Sequence, residues 1–367
     1  MVHLNKGNGR IMIRENLEKL GWRADFERHF EGHDVESAFP ARVISISRDT
    51  CALAGEAGEL KGVLSGKFYQ GDESLPVVGD WVLVRATGDD DLSLVMELLP
   101  RRNFLSRKTP GKRAAEQVMA ANIDVMFIVQ DVLRLNIPLA ERYLALAGGS
   151  GISPVIVLNK CDLDSNAADT VRDLSGRIPG CDMVALSALT GEGLAAITSR
   201  IPAGATACLL GPSGAGKSSI VNRLLGDERQ KVAQVRDDDR KGRHATTSRE
   251  LFFLPGGGMI IDTPGMRELM PWDAAGLDES FGDIDALAAG CRYADCRHDS
   301  EPGCAVREAA ANGALDPGRL ENYLRLRREM AFLESRVDEK ARMEKKRKDK
   351  ELARLIRDYN RRRDDIQ

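Results

Sequence analysis

Apolar and polar positions change period three times along the 367-residue chain, and each period marks a different kind of structure. Over residues 1–36, Leu17, Leu20, Phe26 and Phe30 recur at the spacing of one amphipathic helix that packs on the next segment of the chain. From Ala38 to Pro100 the pattern becomes short alternating segments rich in Val, Ile and Leu, punctuated by Gly, Asp and Pro. Strands are predicted over 41–47, 50–53, 59–64, 80–84 and 92–98. Five strands in so short a stretch suit a small closed barrel, of which the oligonucleotide-binding (OB) type is the best-known five-stranded form; an SH3-like barrel would read similarly.

Beyond about Ala120 the alternation gives way to continuous apolar runs separated by helical stretches. Strands are predicted over 123–129, 154–158, 182–186, 205–210 and 259–261, with helices such as 139–146 and 219–225 between them. Continuous apolar strands linked by helices indicate a mainly parallel sheet buried on both faces. A short Cys/His segment comes next, and then a final helix with a clear start: Asp316 can cap it and Pro317 fits its first turn. Leu320, Leu324, Met330, Leu333 and Val337 carry its apolar stripe, which fades into Lys and Arg after Asp338.

The α/β region holds the motifs that carry chemistry. Gly211-Pro212-Ser213-Gly214-Ala215-Gly216-Lys217-Ser218 matches a phosphate loop, lying after a predicted strand and before a helix opened by Ser219. In such a loop backbone N–H groups and the helix N-terminus surround phosphate oxygens. The lysine reaches the β- and γ-phosphates, and the serine hydroxyl binds Mg²⁺. Asn159-Lys160-Cys161-Asp162 ends another predicted strand. A carboxylate at Asp162 can accept from N1–H and the exocyclic amine of guanine, donors that adenine lacks, so the wrong base would leave a buried charge unpaired. Ser187-Ala188, after the next strand, would support the base through backbone contacts.

Asp262-Thr-Pro-Gly265 ends a further strand; Asp262 would stand behind Mg²⁺ through water, and the Gly265 N–H would sense the γ-phosphate. Upstream, Thr246, with Thr247 as the alternative, would complete Mg²⁺ coordination in the GTP state from a loop that orders around the γ-phosphate. The position after Gly265, where GTPases normally carry a water-orienting glutamine, is Met266, which cannot do that work. His244 is the nearest candidate for the catalytic role, against a plain surface-loop histidine. In an ordinary GTPase the phosphate loop precedes the base reader; here the order is reversed, as in a circularly permuted domain.

Cys291, Cys296, His298 and Cys304 place three thiols and one imidazole within fourteen residues. Four N/S ligands suit a closed, tetrahedral structural Zn²⁺ site, with reduced unliganded thiols as the alternative. The other four cysteines read as reduced thiols, since seven is an odd number for a disulfide framework. Net charge is −3, but it is uneven. From Gly318 to Gln367 there are 17 Lys and Arg against 11 Asp and Glu, and the stretch 101–113 holds six basic side chains and no acid. These patches read either as solvated surface or as phosphate contacts to RNA, with Phe68, Tyr69 and Phe104 as candidate stacking aromatics. The polar first ten residues lack a secretory core, and no apolar run approaches the ~18 residues of a membrane span. A cytoplasmic protein without a membrane partner is expected.

The order of the base reader, Ser187-Ala188, the phosphate loop, Thr246 and Asp262 to Gly265, with a barrel before and Cys-x₄-Cys-x-His-x₅-Cys after, resembles the ribosome small subunit-dependent GTPase A family. The resemblance covers roughly residues 37–310. It implies an OB barrel, a circularly permuted GTPase domain and a zinc domain. It further implies slow GTP hydrolysis to GDP, stimulated by the small (30S) ribosomal subunit, with a role late in that subunit's maturation. The family's Gly-Arg-His histidine maps to His244; Ala245 stands where members often have threonine, which leaves the metal-binding threonine open. The expected organisation is a helical extension over 1–36, the barrel over 37–108, the GTPase domain over 109–283, the zinc-binding domain over 284–315 and a basic helical tail over 316–367. Expected partners are GTP or GDP with Mg²⁺ and the small subunit with its 16S rRNA and proteins, engaged by a monomer. Two other readings stand beside this one: a nucleotide-gated RNA-binding module with incidental turnover, and a phosphate-loop kinase, for which no acceptor pocket is identifiable.

Overall fold

A computed structural model of the chain describes residues 15–30, 38–47, 50–70, 74–87, 92–108, 116–226, 249–262 and 275–332. Its centre is one continuous eleven-stranded sheet that curls into a barrel at one end. Five strands make the barrel: β1 (Phe39–Ile46), β2 (Cys51–Gly55), β3 (Gly58–Leu64), β4 (Trp81–Ala86) and β5 (Leu92–Leu98). They run in the order β1-β2-β3-β5-β4, and β4 returns to pair with β1, so the barrel closes. Ala41, Val43, Leu53, Val82, Val84 and Val95 fill it. Each comes from an alternate position of its strand, as the pleat requires.

The expected single N-terminal helix is two shorter pieces, residues 15–19 and α1 (Ala24–Phe30), separated by a turn at Leu20 and Gly21. The turn lets Trp22 and Phe26 fold onto Trp81 of β4, with ring centroids 4.7 and 5.8 Å away. A straight helix could not lay both rings on one fully buried indole.

After the barrel, β6 (Phe104–Lys108) and β7 (Glu116–Ala121) pair antiparallel. The basic stretch 101–113, expected as a linker, therefore begins as a strand whose Leu105 is buried in the main core. Its first two cations are also committed. Arg101 makes two bonds, 2.9 and 2.8 Å, to the buried Asp80 carboxylate, and Arg102 pairs with Asp124 at 2.9 Å. Neither is a free phosphate contact.

The α/β half contains β8 (Val125–Asp131), β9 (Ser153–Asn159), β10 (Asp182–Leu186), β11 (Thr206–Leu210), β12 (Glu250–Phe253) and β13 (Met259–Asp262). In space they stand β10-β9-β8-β11-β13-β12, parallel except for β12, which joins barrel strand β1 through a bridge between Ser45 and Glu250. Helices α2 (Lys67–Gln70), α3 (Ile137–Ser150), α4 (Ala167–Arg177), α5 (Leu194–Thr198) and α6 (Lys217–Leu225) connect the strands or pack on them. The continuous apolar runs have a direct consequence. Met126, Ile128, Ile156 and Leu158 pack with Tyr143 and Leu144 of α3 on one face. Phe127, Val129, Val155 and Val157 pack with Ile220 and Leu224 of α6 on the other. A strand buried on both sides needs no polar alternate position.

Arg42 of β1 seals the barrel to this sheet. It is buried, and it donates to Thr206 Oγ1 at 2.8 Å and to the carbonyls of Asn122 and Gly79. Burial lowers its pKa to about 9. Beyond β13, α7 (Ala275–Ser280), α8 (Gly282–Ala288), α9 (Ala305–Asn312) and a helix over 317–332 form a separate apolar cluster around Phe281, Ile284, Val306, Leu320 and Tyr323. Asp316 caps the last helix as expected, accepting from the Arg319 N–H at 3.0 Å. Leu333 and Val337 lie outside the described residues.

This C-terminal group is tied to α3 by a buried ionic network. Arg319 donates to Glu141 of α3 at 2.7 Å and grips Asp283 of α8 with two bonds of 2.8 and 2.7 Å. Asn322 donates to the other Glu141 oxygen, and the Arg319 guanidinium lies 4.6 Å from the centre of the Phe281 ring.

Candidate nucleotide site and metal centre

Four loops leave the sheet at the C-terminal ends of its parallel strands, where open α/β sheets bind ligands. Asn159 is the last residue of β9, Ser187 comes directly after β10, Gly211 directly after β11, and Asp262 ends β13. Because β9 and β11 both flank β8, motifs far apart in sequence meet over one edge.

Asn159 is where they join. Its side chain is 1% exposed; Nδ2 donates to the Ala215 carbonyl of the phosphate loop at 2.8 Å, and Oδ1 accepts from the Ala188 N–H at 3.0 Å. A single amide therefore pins the phosphate loop, the base reader and the Ser187-Ala188 loop together.

On the phosphate side, α6 begins at Lys217, so the loop from Gly211 to Gly216 feeds directly into a helix N-terminus with its unpaired N–H groups. Ser213, Gly214, Ser218 and Ser219 are exposed at the mouth, Pro212 is half-buried, and Ala215 is buried behind the loop. Lys217 Nζ donates to the carbonyls of Gly211 and Pro212, both at 2.8 Å, which bends the ammonium back over the concavity.

On the base side, Lys160 adopts a left-handed conformation with φ of 68°, and Cys161–Leu163 form a 3₁₀ turn. Asp162 is exposed, and its carboxylate accepts from Ser187 Oγ at 2.5 Å, while Ser187 Oγ accepts from the Thr190 N–H at 3.1 Å. This relay orients the carboxylate and leaves acceptor capacity on it. The Cys161 thiol turns to the Leu158 carbonyl at 3.1 Å, and burial pushes its pKa up. Lys160 Nζ meets Asp131 Oδ2 at 2.7 Å. Asp131, at the end of β8, belongs to no motif visible in the sequence; its only signal there is an acid closing an apolar strand run beside the reader's strand.

Asp262 is half-buried at the end of β13, opposite Glu250 of β12. His244, Thr246, Thr247, Gly265 and Met266 lie outside the described residues. Of the aromatics considered for stacking, Phe68 is 3% exposed in the barrel core and cannot stack on a base. Tyr69 at 65% and Phe104 at 37% are exposed.

Cys291, Cys296, His298 and Cys304 converge so that all their ligand atoms lie within 4.8 Å of one another. Cys291 Sγ is 3.9 Å from Cys304 Sγ and 3.6 Å from His298 Nδ1, and His298 Nδ1 is 3.4 Å from Cys304 Sγ. A tetrahedral Zn²⁺ with ordinary bond lengths needs S–S edges of about 3.8 Å and S–N edges of about 3.5 Å. The donor set fits the ion. His298 reaches its place through a left-handed backbone, φ 63°. Burial, and then Arg327, lower its pKa, which favours the neutral imidazole that ligates. Burial alone would raise Cys291, but the N–H groups of Val306 and Ala305 outweigh it and favour thiolate.

A mainly parallel α/β sheet with a phosphate loop at one strand end, and a guanine reader that precedes it in sequence but adjoins it in space, defines a circularly permuted P-loop GTPase. Residues 98–272 match the RsgA GTPase family. A protein of Opitutus terrae named small ribosomal subunit biogenesis GTPase RsgA is 42% identical over 336 residues, covering 88% of this chain and 92% of the relative. Among solved structures, YjeQ from Thermotoga maritima superposes with a TM-score of 0.59 at 26% identity, covering 80% of this chain and 99% of that one. YloQ, described as a circularly permuted GTPase, gives a TM-score of 0.59 at 24% identity, over 82% of this chain and 97% of its own. The chain belongs to the RsgA GTPase family, and it is a GTPase. No helix among the described residues is long and apolar enough to cross a membrane.

Proposed function

We propose that this chain binds GTP with Mg²⁺ in the cradle between the base reader and the phosphate loop, hydrolyses it to GDP on the small (30S) ribosomal subunit, and acts late in that subunit's maturation. The observation that carries the reading is the Asn159 clamp, which gives a base reader and a phosphate loop one shared wall. The relative's printed name, small ribosomal subunit biogenesis GTPase, supports the choice of partner. Asp162 reads guanine, with Asn159, Lys160, Cys161, Ser187 and Ala188 shaping its surroundings. Residues Gly211 to Ser219 hold the phosphates, Ser218, Thr246 and Asp262 serve Mg²⁺, Gly265 senses the γ-phosphate, and His244 orients the attacking water.

The protein works as a cytoplasmic monomer. Its barrel, over 37–108, and its zinc-binding domain, over 284–315, grip the 16S rRNA and proteins of the subunit. One zinc held by Cys291, Cys296, His298 and Cys304 fixes the second of these surfaces. GTP favours the gripping state and hydrolysis to GDP releases it, because a ligand shifts an equilibrium only by binding one state better. The test is multiple-turnover GTP hydrolysis with and without purified small subunits, together with subunit affinity in GDP and in a non-hydrolysable GTP analogue. A stimulated rate and tighter binding with the analogue are expected. An unstimulated rate and equal affinities would overturn the proposal.

A further inference from the structure

Lys160 is part of the base reader, but its ammonium is directed away from Asp162. The backbone turns left-handed at Lys160, and the side chain runs from the end of β9 to the end of β8, where Nζ meets Asp131 Oδ2 at 2.7 Å. β8 lies between β9 and β11, so a stem stretched along this line borders the gap between the base reader and the phosphate loop. Asp131 is itself fixed. Its Oδ1 accepts the Leu133 N–H at 3.0 Å, and its backbone pairs with Asn159 in the sheet register. The carboxylate side chain is 13% exposed and the lysine side chain 34%. The pair is half-sheltered at the rim and anchored on the strand side.

We infer that Asp131 is a positioning residue for guanine-nucleotide binding, holding the Lys160 stem stretched beside the base so that its methylenes present a preformed apolar wall to the purine ring. The inference rests on the assignment of Asn159 to Asp162 as the base reader. Burial alone would raise Asp131, but the bonds from Lys160 and the Leu133 N–H outweigh it and hold the carboxylate below its ordinary range, so the anchor stays charged at neutral pH. Freed of Asp131, Lys160 regains the rotamers of a long side chain, and the wall must be ordered again each time a nucleotide binds. The wall faces the base, not the phosphates. GTP and GDP should therefore lose the same factor.

The experiment measures GTP and GDP affinities, and steady-state KM and kcat, in the full chain and in Asp131→Asn, Lys160→Gln, the double variant and Asp162→Asn. For Asp131→Asn, a loss of roughly fivefold in affinity for both nucleotides is expected, the scale of a half-sheltered ion pair. KM should rise with kcat held, and the double variant should match Lys160→Gln alone, because Asp131 acts through Lys160. Asp131→Glu should restore part of the loss. Additive losses in the double variant, unequal losses for GTP and GDP, or an unchanged Kd in Asp131→Asn would each overturn the inference. Asp162→Asn separates the two levels. If it fails to alter base preference, the reader itself is misassigned; if it alters it while Asp131→Asn changes nothing, only the positioning role falls.

Discussion

Two glycines of the phosphate loop give the sharpest test of the cradle. Gly214 has φ of 80° and Gly216 has φ of 92°, so an alanine at either costs about 1 kcal/mol for a left-handed backbone. Their surroundings differ. A methyl on residue 214 meets nothing within 4 Å, whereas one on residue 216 would stand 2.1 Å from Asn159 Nδ2. Asn159 has to move, and its bonds to the Ala215 carbonyl and the Ala188 N–H go with it. Those bonds contribute about 1 kcal/mol each. Gly216→Ala is therefore expected to lose about 2 kcal/mol more than Gly214→Ala. In calorimetric titrations with GDP and Mg²⁺, that is roughly a 30-fold difference in Kd between the variants. Equal affinities in the two would refute the claim that Asn159 braces the loop, whatever their distance from the parent.

Four further outcomes are expected from other parts of the molecule. Asp162→Asn should transfer preference from guanosine to xanthosine nucleotides in a competition assay; persistence of the guanosine preference would contradict the base reader. His244→Ala should abolish subunit-stimulated hydrolysis while GTP affinity, read by fluorescence titration, survives; full activity would return His244 to an ordinary surface histidine. Elemental analysis should find about one zinc per chain, lost in Cys304→Ser; a metal-free protein with an intact C-terminal fold would exclude the site. Arg319→Met should cost about 3 kcal/mol or more by urea denaturation, because it leaves Glu141 buried without its cation. Burial already pushes the Glu141 pKa up. The variant's deficit should therefore shrink as pH falls toward ~4.3, where the neutral acid forms, and be fully present above it. A pH-independent loss would mean that the charge is not what matters.

Much of this architecture is legible in the sequence, for physical reasons that differ by region. The buried parallel strands announce themselves because both faces are apolar, and β10 falls on its predicted bounds of 182–186. The barrel strands are legible through alternation. The helix start at Asp316 is legible because a cap is a local hydrogen bond. The features that escape depend on distant partners. Arg101 and Arg102 read as loose cations because nothing nearby in sequence reveals that Asp80 and Asp124 await them. Phe68 reads as a surface aromatic, but four residues of helix, Lys67–Gln70, turn it into the barrel. The hairpin of β6 and β7 hides behind its charge, and β12 is only four residues long. At the nucleotide site the motif residues are visible and the fastenings are not. Neither the Asn159 clamp nor the Asp131 anchor has a spacing that would betray it.

The order of strands in the sheet also governs when the cradle comes into being. Synthesis proceeds from the N-terminus, and domains tend to fold as they emerge. Strands β8, β9 and β10 with their helices are neighbours in both sequence and space, so the guanine end can assemble while the ribosome is still translating residues beyond 186. The phosphate end cannot, since β11 must wait to be made and then slot in beside β8, and β13 beside it in turn. A nascent chain thus carries a finished purine seat with nothing to hold the triphosphate, and it gains its nucleotide only after the strand ending at Asp262 has left the exit tunnel.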